Sequence, residues 1–146
     1  LAEPTAYGPV QGTNSTAHAV PAEVMRLTDN QGVAVVVDPV GGSTLQGSID
    51  SLGYRGRVAS VGAAGREPMK VDVGSRMGGN RTLRGVFLGA EIMTDRVHDM
   101  IAGLFTQAAH GQIKLVIDTT FPLSEAAAAH AYIESRAAVG RVLLIP

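Results

Sequence analysis

Residues 32–42 read Gly32-Val33-Ala34-Val35-Val36-Val37-Asp38-Pro39-Val40-Gly41-Gly42. The run of five small or β-branched apolar residues predicts a strand covered on both faces, because a half-exposed strand alternates apolar and polar residues. Pro39 removes a backbone donor and ends the strand, and the two glycines open a turn. Asp38 is a candidate acid or base, but its place at the strand end favours capping of local backbone donors.

The segment after this turn predicts a helix and a second strand. Ser43 and Gln46 fit a capping box at the start of the helix. Apolar residues then follow at helical spacing: Leu45, Ile49 and Leu52. The helix is expected to end at Gly53 or Gly56, before a strand at 57–61. A strand, a helix and a strand in this order predict a parallel sheet, which binds ligands beyond the carboxyl ends of its strands.

The flanking segments continue the alternation of helices and strands. In residues 1–20 the apolar residues follow neither the helical nor the strand period, which predicts a loosely ordered leader. A short helix is predicted to begin at Pro21. Residues 66–80 predict a surface loop with one short helix, and residues 81–89 predict a third strand. Thr94 is the expected N-cap of the next helix. That helix carries one apolar stripe: Val97, Ile101, Leu104, Phe105 and Ala108.

The last part of the chain predicts a strand, a helix and a strand. The first strand covers residues 113–118. Ser124 is the expected N-cap of an alanine-rich helix that ends at Ala137 or Ala138, and residues 141–146 form the terminal strand. The whole order of elements predicts an α/β architecture with helices packed on a parallel sheet.

Composition limits the classes of function. A chain of 146 residues with 45% hydrophobic residues can form one domain with a core. The net charge of −1 gives no electrostatic case for nucleic acid or an anionic membrane. Without cysteine there is no disulfide framework and no thiolate ligand. No run has the length of a transmembrane segment and no signal peptide is visible, so we expect a soluble cytoplasmic protein.

The residues alone do not assemble a catalytic or metal site. No two of the 18 glycines are separated by a single residue, so the dinucleotide fingerprint G-x-G-x-x-G is absent. The four histidines lack metal-ligand spacing: His18, His98, His110 and His130. The glycines after the two strands either let a flat cofactor approach bare backbone or form tight turns. Arg66, Arg81 and Arg84 either bind a phosphate or are ordinary surface arginines.

Several motifs, taken together, resemble one known superfamily. They are Val36-Val37-Asp38-Pro39-Val40-Gly41-Gly42, Gly56-Arg57-Val58-Ala59-Ser60-Val61-Gly62 and Thr82-Leu83-Arg84-Gly85. These resemble the medium-chain dehydrogenase/reductase superfamily. The ending, from Phe121-Pro122-Leu123-Ser124-Glu125-Ala126 to Gly140-Arg141-Val142-Leu143-Leu144-Ile145-Pro146, is similar to its quinone oxidoreductase branch. The resemblance covers residues 21–146 in the family's order.

The resemblance implies a partial Rossmann domain, that is, part of a doubly wound parallel sheet. Residues 21–114 would be an incomplete dinucleotide-binding domain. Residues 115–146 would be the carboxy-terminal strand-helix-strand that returns to the substrate domain, and residues 1–20 do not match. Members of the superfamily are longer and place the substrate domain and the glycine-rich turn earlier in the chain. The missing fingerprint would then mean that this chain is a carboxy-terminal portion.

The resemblance also assigns cofactor contacts by position. Val40 and Gly41 would lie near the cofactor after the first strand. Five residues would line the nicotinamide side after the next two strands: Val61, Gly62, Val86, Phe87 and Leu88. Arg141 falls where some relatives place a basic residue near the cofactor phosphates. No catalytic residue and no metal ligand is assigned.

The function implied by the resemblance is hydride transfer from NADPH, in preference to NADH, to a quinone or an α,β-unsaturated carbonyl. One alternative is a zinc-type alcohol dehydrogenase, and another is a truncated, inactive domain that only oligomerises. The isolated chain is expected to bind NADPH weakly or not at all, because the phosphate-binding turn is absent. A homodimer is expected through the edge strand Leu83 to Leu88, which is apolar and lacks proline.

Overall fold

The structure is a computed structural model that describes residues 12–13 and 19–146. Most of the predicted leader, including His18, lies outside the described residues. The chain divides into two compact units, and the division falls between Ile92 and Met93. The predicted boundary between residues 114 and 115 concerns membership of the two domains of the superfamily, and it stays a prediction.

The first unit is built on a three-stranded parallel sheet. Its elements in chain order are α1 Val20–Leu27, β1 Val33–Asp38, α2 Thr44–Asp50, β2 Leu52–Ser60, α3 Val73–Met77 and β3 Thr82–Gly85, followed by a 3₁₀ turn at Leu88–Ala90. The strand order is β1-β2-β3, and both pairs are parallel. The predicted β-α-β unit, the short first helix and the short helix within residues 66–80 are confirmed.

The core of the first unit lies between the sheet and α2. Val36, Val58 and Leu83 are register partners across the three strands. This row packs with the buried residues of α2 and the start of β2: Leu45, Ile49 and Leu52. Since each fully buried leucine or isoleucine contributes about 1.5–3 kcal/mol, this small cluster supplies much of the unit's stability.

The prediction that β1 is covered on both faces is wrong for the described residues. Successive residues of a strand point to opposite faces, so Val36 faces α2 whereas Val35 and Val37 face the other way. The Val37 side chain is 64% exposed. A doubly wound sheet carries helices on both faces, and the valine run suits a second layer that the described part of the chain does not supply.

The predicted capping box at the start of α2 is also wrong. Ser43 has helical backbone angles, and its side chain makes no capping hydrogen bond. Its amide instead donates to Glu67 Oε2 at 3.0 Å. The Gln46 amide nitrogen donates to Asp50 Oδ1 at 2.8 Å, and its oxygen accepts from the Asp72 amide at 2.7 Å. Partners from the 67–72 segment therefore replace the local partners that the pattern suggested.

The helix–strand boundary after α2 also differs from the prediction. The helix ends at Asp50, and Ser51 is its C-cap. Leu52, which the helical spacing included, is the first residue of β2. Gly53 and Gly56 therefore lie inside the strand and do not end the helix. The predicted strand at 57–61 is real, but pairing extends it towards its amino end, where Leu52 is the register partner of Val33.

The second unit contains a long helix and a two-stranded parallel sheet. Its elements are α4 Asp95–Ala109, β4 Ile117–Pro122, a 3₁₀ turn Leu123–Glu125, α5 Ala126–Glu134 and β5 Arg141–Ile145. β4 and β5 pair in parallel. The Thr94 side chain accepts a hydrogen bond from the Val97 amide, which confirms the predicted N-cap of α4. The terminal strand is confirmed as well.

Two predictions in the second unit are wrong in detail. The strand expected at 113–118 begins only at Ile117. Ser124 lies in the 3₁₀ turn and does not cap α5, whose N-cap is Glu125 and whose last residue is Glu134. The predicted apolar stripe of α4 is present, since Ile101, Leu104, Phe105 and Ala108 line one cavity together. Val97 is buried, whereas Phe105 is 73% exposed.

Candidate functional site

A buried carboxylate organises the turn after β1. Asp38 accepts hydrogen bonds from the Val40 amide at 2.9 Å, the Gly41 amide at 2.8 Å and the Ser48 hydroxyl at 2.9 Å. These bonds hold the Gly41–Gly42 turn, where both glycines have positive φ angles of 65° and 58°. The capping role expected of Asp38 is therefore confirmed, and its three donors leave it poorly placed as an acid or base.

Two opposing effects set the pKa of Asp38. Burial is the largest single effect and raises the pKa of this carboxyl. The hydrogen bonds from Gly41, Ser48, Val40 and Thr44 together outweigh burial, so the pKa lies below its ordinary value. The ionised carboxylate is thus the form that the folded chain stabilises.

Replacing Asp38 with asparagine should lower the free energy of unfolding at pH 7 by about 1.5–3 kcal/mol, the usual worth of hydrogen bonds to a charged group. Because the pKa of Asp38 is lower in the folded chain than in the unfolded chain, its contribution is present above about pH 4 and is lost as the pH falls through the folded value. Urea unfolding at pH 7, 5, 4 and 3 measures this. The variant should lose less stability than the wild-type chain as the pH is lowered. An equal loss in both proteins would contradict a lowered pKa of Asp38 in the folded chain. The exposed Asp99→Asn is the control.

The loop after β2 is joined to the loop after β1 by backbone hydrogen bonds. The Val61 amide donates to the Asp38 carbonyl at 2.9 Å, and the Gly65 amide donates to the Val40 carbonyl at 2.8 Å. Gly62 lies so close that a Cβ on it would stand 2.5 Å from the Pro39 carbonyl oxygen. The carboxyl ends of β1 and β2 therefore approach each other through bare backbone.

The 66–72 segment packs over the Gly41–Gly42 turn. Glu67 Oε2 accepts the Ser43 amide, and hydrogen bonds from Ser43 lower the pKa of the Glu67 carboxyl. The Met69 methyl group lies against Gly41, where a Cβ would be only 2.6 Å from it. Both glycines of the turn are thus covered by side chains that come from the next loop.

A cavity of about 460 Å³ lies at the carboxyl ends of β2 and β3. Small-molecule sites have volumes of roughly 300–1,000 Å³. The lining of this cavity comes from the end of β2, the end of β3 and one residue of the 66–72 segment: Ser60, Val61, Gly62, Ala63, Met69, Gly85, Val86 and Phe87. Below, this space is called the strand-end cavity.

Four of the predicted cofactor residues line the strand-end cavity together: Val61, Gly62, Val86 and Phe87. The other four do not line it. Val40 and Gly41 lie in the adjoining loop, bonded to Gly65 and packed under Met69. Leu88 is exposed in the 3₁₀ turn, and Arg141 is exposed at the start of β5 in the second unit.

Sequence reasoning missed four lining residues: Ser60, Ala63, Met69 and Gly85. Ser60 and Gly85 are register partners, so a correct alignment of the two strand ends would have found them. Met69 has no comparable signal, because it reaches the cavity from a loop.

The strand-end cavity has little acid–base chemistry of its own. Ser60 is the one polar side chain among the described lining residues. The remaining wall is glycine backbone, small apolar side chains and the Phe87 ring. Such a wall can accept a flat apolar ring and exclude water from it, but it offers no nucleophile and no general base.

Two further features are absent from the described part of the chain. No three histidine, aspartate or glutamate side chains there come together as a group able to hold a metal ion. No helix within residues 19–146 is long and apolar enough to cross a membrane.

Comparison with known proteins gives one consistent family. A profile of the zinc-binding dehydrogenase family matches residues 10–144. The chain is 36% identical over 130 residues to a 2-haloacrylate reductase from Burkholderia sp., a match that covers 86% of this chain and 39% of the relative. It is 31% identical over 129 residues to a quinone oxidoreductase from Pseudomonas aeruginosa, with 87% of this chain and 40% of the relative covered.

The fold agrees with the sequence comparison. The structure is similar to that of the Escherichia coli quinone oxidoreductase solved in complex with NADPH, with a TM-score of 0.81 and 31% identity. That match covers 95% of this chain and 44% of the other chain. The chain therefore spans less than half the length of the relatives that it matches.

Proposed function

Because the chain belongs to the zinc-binding dehydrogenase family, within the medium-chain dehydrogenase/reductase superfamily, we propose that it supplies the nicotinamide side of the cofactor site in a quinone-type oxidoreductase. The parent activity would be hydride transfer from NADPH to a quinone or an α,β-unsaturated carbonyl. The chain spans 39–40% of two oxidoreductase relatives, so the activity requires residues beyond this portion.

The strand-end cavity is the observation that carries this proposal. Its residues fit a nicotinamide ring, since the wall is apolar apart from Ser60 and includes bare backbone at Gly62 and Gly85 and the ring of Phe87. When bound, the cofactor would supply the hydride. This chain's own residues would position the ring: Gly62 by allowing close approach of backbone, and Val61 and Val86 by excluding water.

The remaining predicted contacts belong to the same proposal. Val40 and Gly41 would form the adjoining wall, held by Asp38 and covered by Met69. Leu88 would contact the outer edge of the ring. Arg141 is exposed, and it is proposed as a charge partner of the cofactor phosphates.

The two alternatives differ in what they require. A zinc-type alcohol dehydrogenase needs a set of metal ligands, which the described residues do not bring together, so such ligands would have to come from other parts of the protein. An inactive domain that only oligomerises would bind no nicotinamide in the strand-end cavity. Ligand binding by this chain therefore separates the proposal from the second alternative.

Reduced nicotinamide mononucleotide and NADPH should bind this chain with equal affinity within about threefold, both weakly. The reason is that this sequence lacks the glycine-rich turn on which pyrophosphate affinity depends, so the adenosine half adds little. Saturation-transfer difference NMR, which detects weak binding, should show strong transfer to the nicotinamide protons and weak transfer to adenine. Phe87→Ala should reduce the transfer, and Tyr54→Ala, which changes an aromatic residue away from the cavity, should not.

Two results would contradict this proposal. NADPH binding at least tenfold tighter than the mononucleotide would reveal a phosphate site that the proposal lacks. An absence of saturable nicotinamide binding would favour the oligomerising domain.

We also propose a homodimer through the edge of β3, as expected from the apolar run after Thr82. Strand pairing is shorter than predicted, since β3 ends at Gly85 and Leu88 begins the 3₁₀ turn. The Val86 amide already donates to the Ser60 carbonyl at 2.8 Å within the chain. Proline at position 86 would therefore break the chain's own sheet, and it is a poor probe of association.

Phe87→Asp is the sharper test of association. Phe87 is 78% exposed next to the free edge of β3, so a carboxylate there should convert a dimer to a monomer by burying an unpaired charge. Met77→Asp, which places the same charge on a residue of α3 that is 75% exposed, should leave the dimer intact. Light scattering after size-exclusion chromatography measures both. If the wild-type chain is a monomer in this measurement, the dimer proposal is contradicted.

A further inference from the structure

A second cavity lies at the opposite end of β3 from the strand-end cavity. It has a volume of about 380 Å³ and is lined by Val73, Arg76, Met77, Asn80 and Arg81. Arg81 directly precedes β3, whereas Gly85 and Phe87 at the other end line the strand-end cavity. A four-residue strand is about 13 Å long, so the two cavities are separate places on the same unit. We call this one the arginine cavity.

The turn after α3 brings the two arginines together. The Arg81 amide donates to the Arg76 carbonyl at 2.9 Å, and the Asn80 amide donates to the Met77 carbonyl at 3.2 Å. Asn80 has a positive φ of 50°, which reverses the chain between them. Since these are backbone bonds, the closeness of Arg76 and Arg81 does not depend on their side chains.

Both guanidinium groups have unused hydrogen-bonding capacity. The Nε atoms of Arg76 and Arg81 are buried and have no hydrogen-bond partner. Arg81 makes one bond, from Nη1 to the Ser75 carbonyl at 3.3 Å. In the part of the chain that the structure describes, neither arginine forms an ion pair. The nearest acidic residue in sequence, Asp72, is already occupied by the Gly74 amide at 2.8 Å.

Unpaired donors of this kind are unusual, because a buried polar group without a partner loses the free energy of its hydration. Two adjacent positive charges without a carboxylate also repel each other. An anion would relieve both effects, since guanidinium groups match the oxygens of phosphate and carboxylate. We propose that Arg76 and Arg81 form an anion-binding site for a small phosphorylated molecule.

The rest of the lining indicates the class of ligand. Asn80 lines the cavity with the two arginines, and its amide nitrogen also donates to the Tyr54 hydroxyl at 3.3 Å. Val73 and Met77 form an apolar wall. A free phosphate ion would leave most of 380 Å³ empty. The cavity therefore favours a phosphomonoester whose organic part lies on the apolar wall over inorganic phosphate, although both share the charged contact.

The competing interpretation is that the arginines only cap the carboxyl end of α3, where basic side chains are favourable. Arg81 does bond the Ser75 carbonyl there. That role does not explain Arg76, because its side chain makes no hydrogen bond among the described residues. The two interpretations differ in one measurable respect, which is whether the wild-type chain binds an anion.

The test is titration of the whole chain with inorganic phosphate and with phenyl phosphate at constant ionic strength, followed by phosphorus NMR and calorimetry. Phenyl phosphate should bind more tightly than inorganic phosphate. Arg76→Gln and Arg81→Gln should each weaken binding by about tenfold or more, in line with the loss of a charge-assisted contact of about 1.4 kcal/mol or more. Arg84→Gln, which changes an exposed arginine of β3, should alter it less than twofold.

Three results would overturn the proposal: no saturable binding of either probe to the wild-type chain, equal binding by Arg76→Gln, or weakening by Arg84→Gln equal to that of the cavity variants. Arg76→Gln removes no hydrogen bond within the described chain, so circular dichroism should show an unchanged fold. A loss of anion binding by this variant can therefore not be attributed to unfolding. Reduced nicotinamide mononucleotide tested with this variant separates the two cavities, since nicotinamide binding should persist when the anion site is lost.

Discussion

Replacing Gly62 with alanine should lower the free energy of unfolding by about 1–3 kcal/mol and weaken nicotinamide binding. The added Cβ would stand 2.5 Å from the Pro39 carbonyl oxygen, which is backbone and cannot rotate away. The two strand-end loops would have to separate, and the hydrogen bond from the Ala64 amide to the same carbonyl would be lost with them. The strand-end cavity would change shape because Gly62 is part of its wall.

Gly85→Ala is the matched control for this substitution. Gly85 lines the same cavity, yet a Cβ there would meet no atom within 4 Å. Its unfolding free energy should therefore stay within about 0.5 kcal/mol of wild type. Urea unfolding and saturation-transfer NMR on both variants measure stability and binding together. If the two variants were equally stable, the close approach of Gly62 to Pro39 would not be a constraint on the fold.

Leu52→Ala should have the largest effect on stability, about 2–5 kcal/mol. Leu52 is fully buried and belongs to a cluster that includes Leu45, Ile49 and Val58. Because so few side chains are buried, the loss of one leaves a cavity that the others cannot fill. A domain of this size has a total stability of about 5–15 kcal/mol, so the first unit should be close to unfolding.

The exposed Leu104 of α4 provides the comparison for Leu52. Leu104→Ala removes the same atoms from a half-exposed site in the second unit, and it should cost about 0.5 kcal/mol or less. Chemical denaturation with circular dichroism gives both values, and amide NMR signals show which unit loses structure. A similar cost for both leucines would mean that the buried cluster does not dominate the stability of the first unit.

The order of strands and helices, the turn after β1 and half of the lining of the strand-end cavity could be predicted from the sequence. The valine run before Asp38 specified β1, and the proline and glycines after it specified the turn that the structure shows. Val61 and Gly62 were singled out because parallel strands end on one edge of a sheet, where ligands bind. Val86 and Phe87 were assigned only by their position in the superfamily that the chain resembles. All four line the strand-end cavity.

The features that the sequence did not predict depend on contacts between distant segments. Ser43 and Gln46 have the spacing of a capping box, but Glu67 and Asp72 compete for the same groups. Met69 reaches the strand-end cavity only because the loops after β1 and β2 are bonded together. The local pattern of β1 also could not show whether both of its faces are covered, because this depends on whether a second layer of helices is present.

The arginine cavity illustrates the same limit. Arg81 was a phosphate candidate by residue type alone, alongside Arg66 and Arg84. Only the reversal at Asn80, and the backbone bond that follows it, show that Arg76 is its neighbour. The spacing in the sequence did not single out Arg76, because two residues that are five positions apart do not lie on the same face of a helix or a strand.

The buried cluster of the first unit also has a kinetic consequence. Its members come from a short stretch of chain, since Leu45, Ile49, Leu52 and Val58 all lie in α2 and β2. Bringing them together closes only short loops, which costs little chain entropy. We therefore expect this segment to form the folding nucleus, with β3 joining later across the longer connection. Substitutions at Ile49 should slow folding, whereas substitutions at Leu83 should mainly speed unfolding.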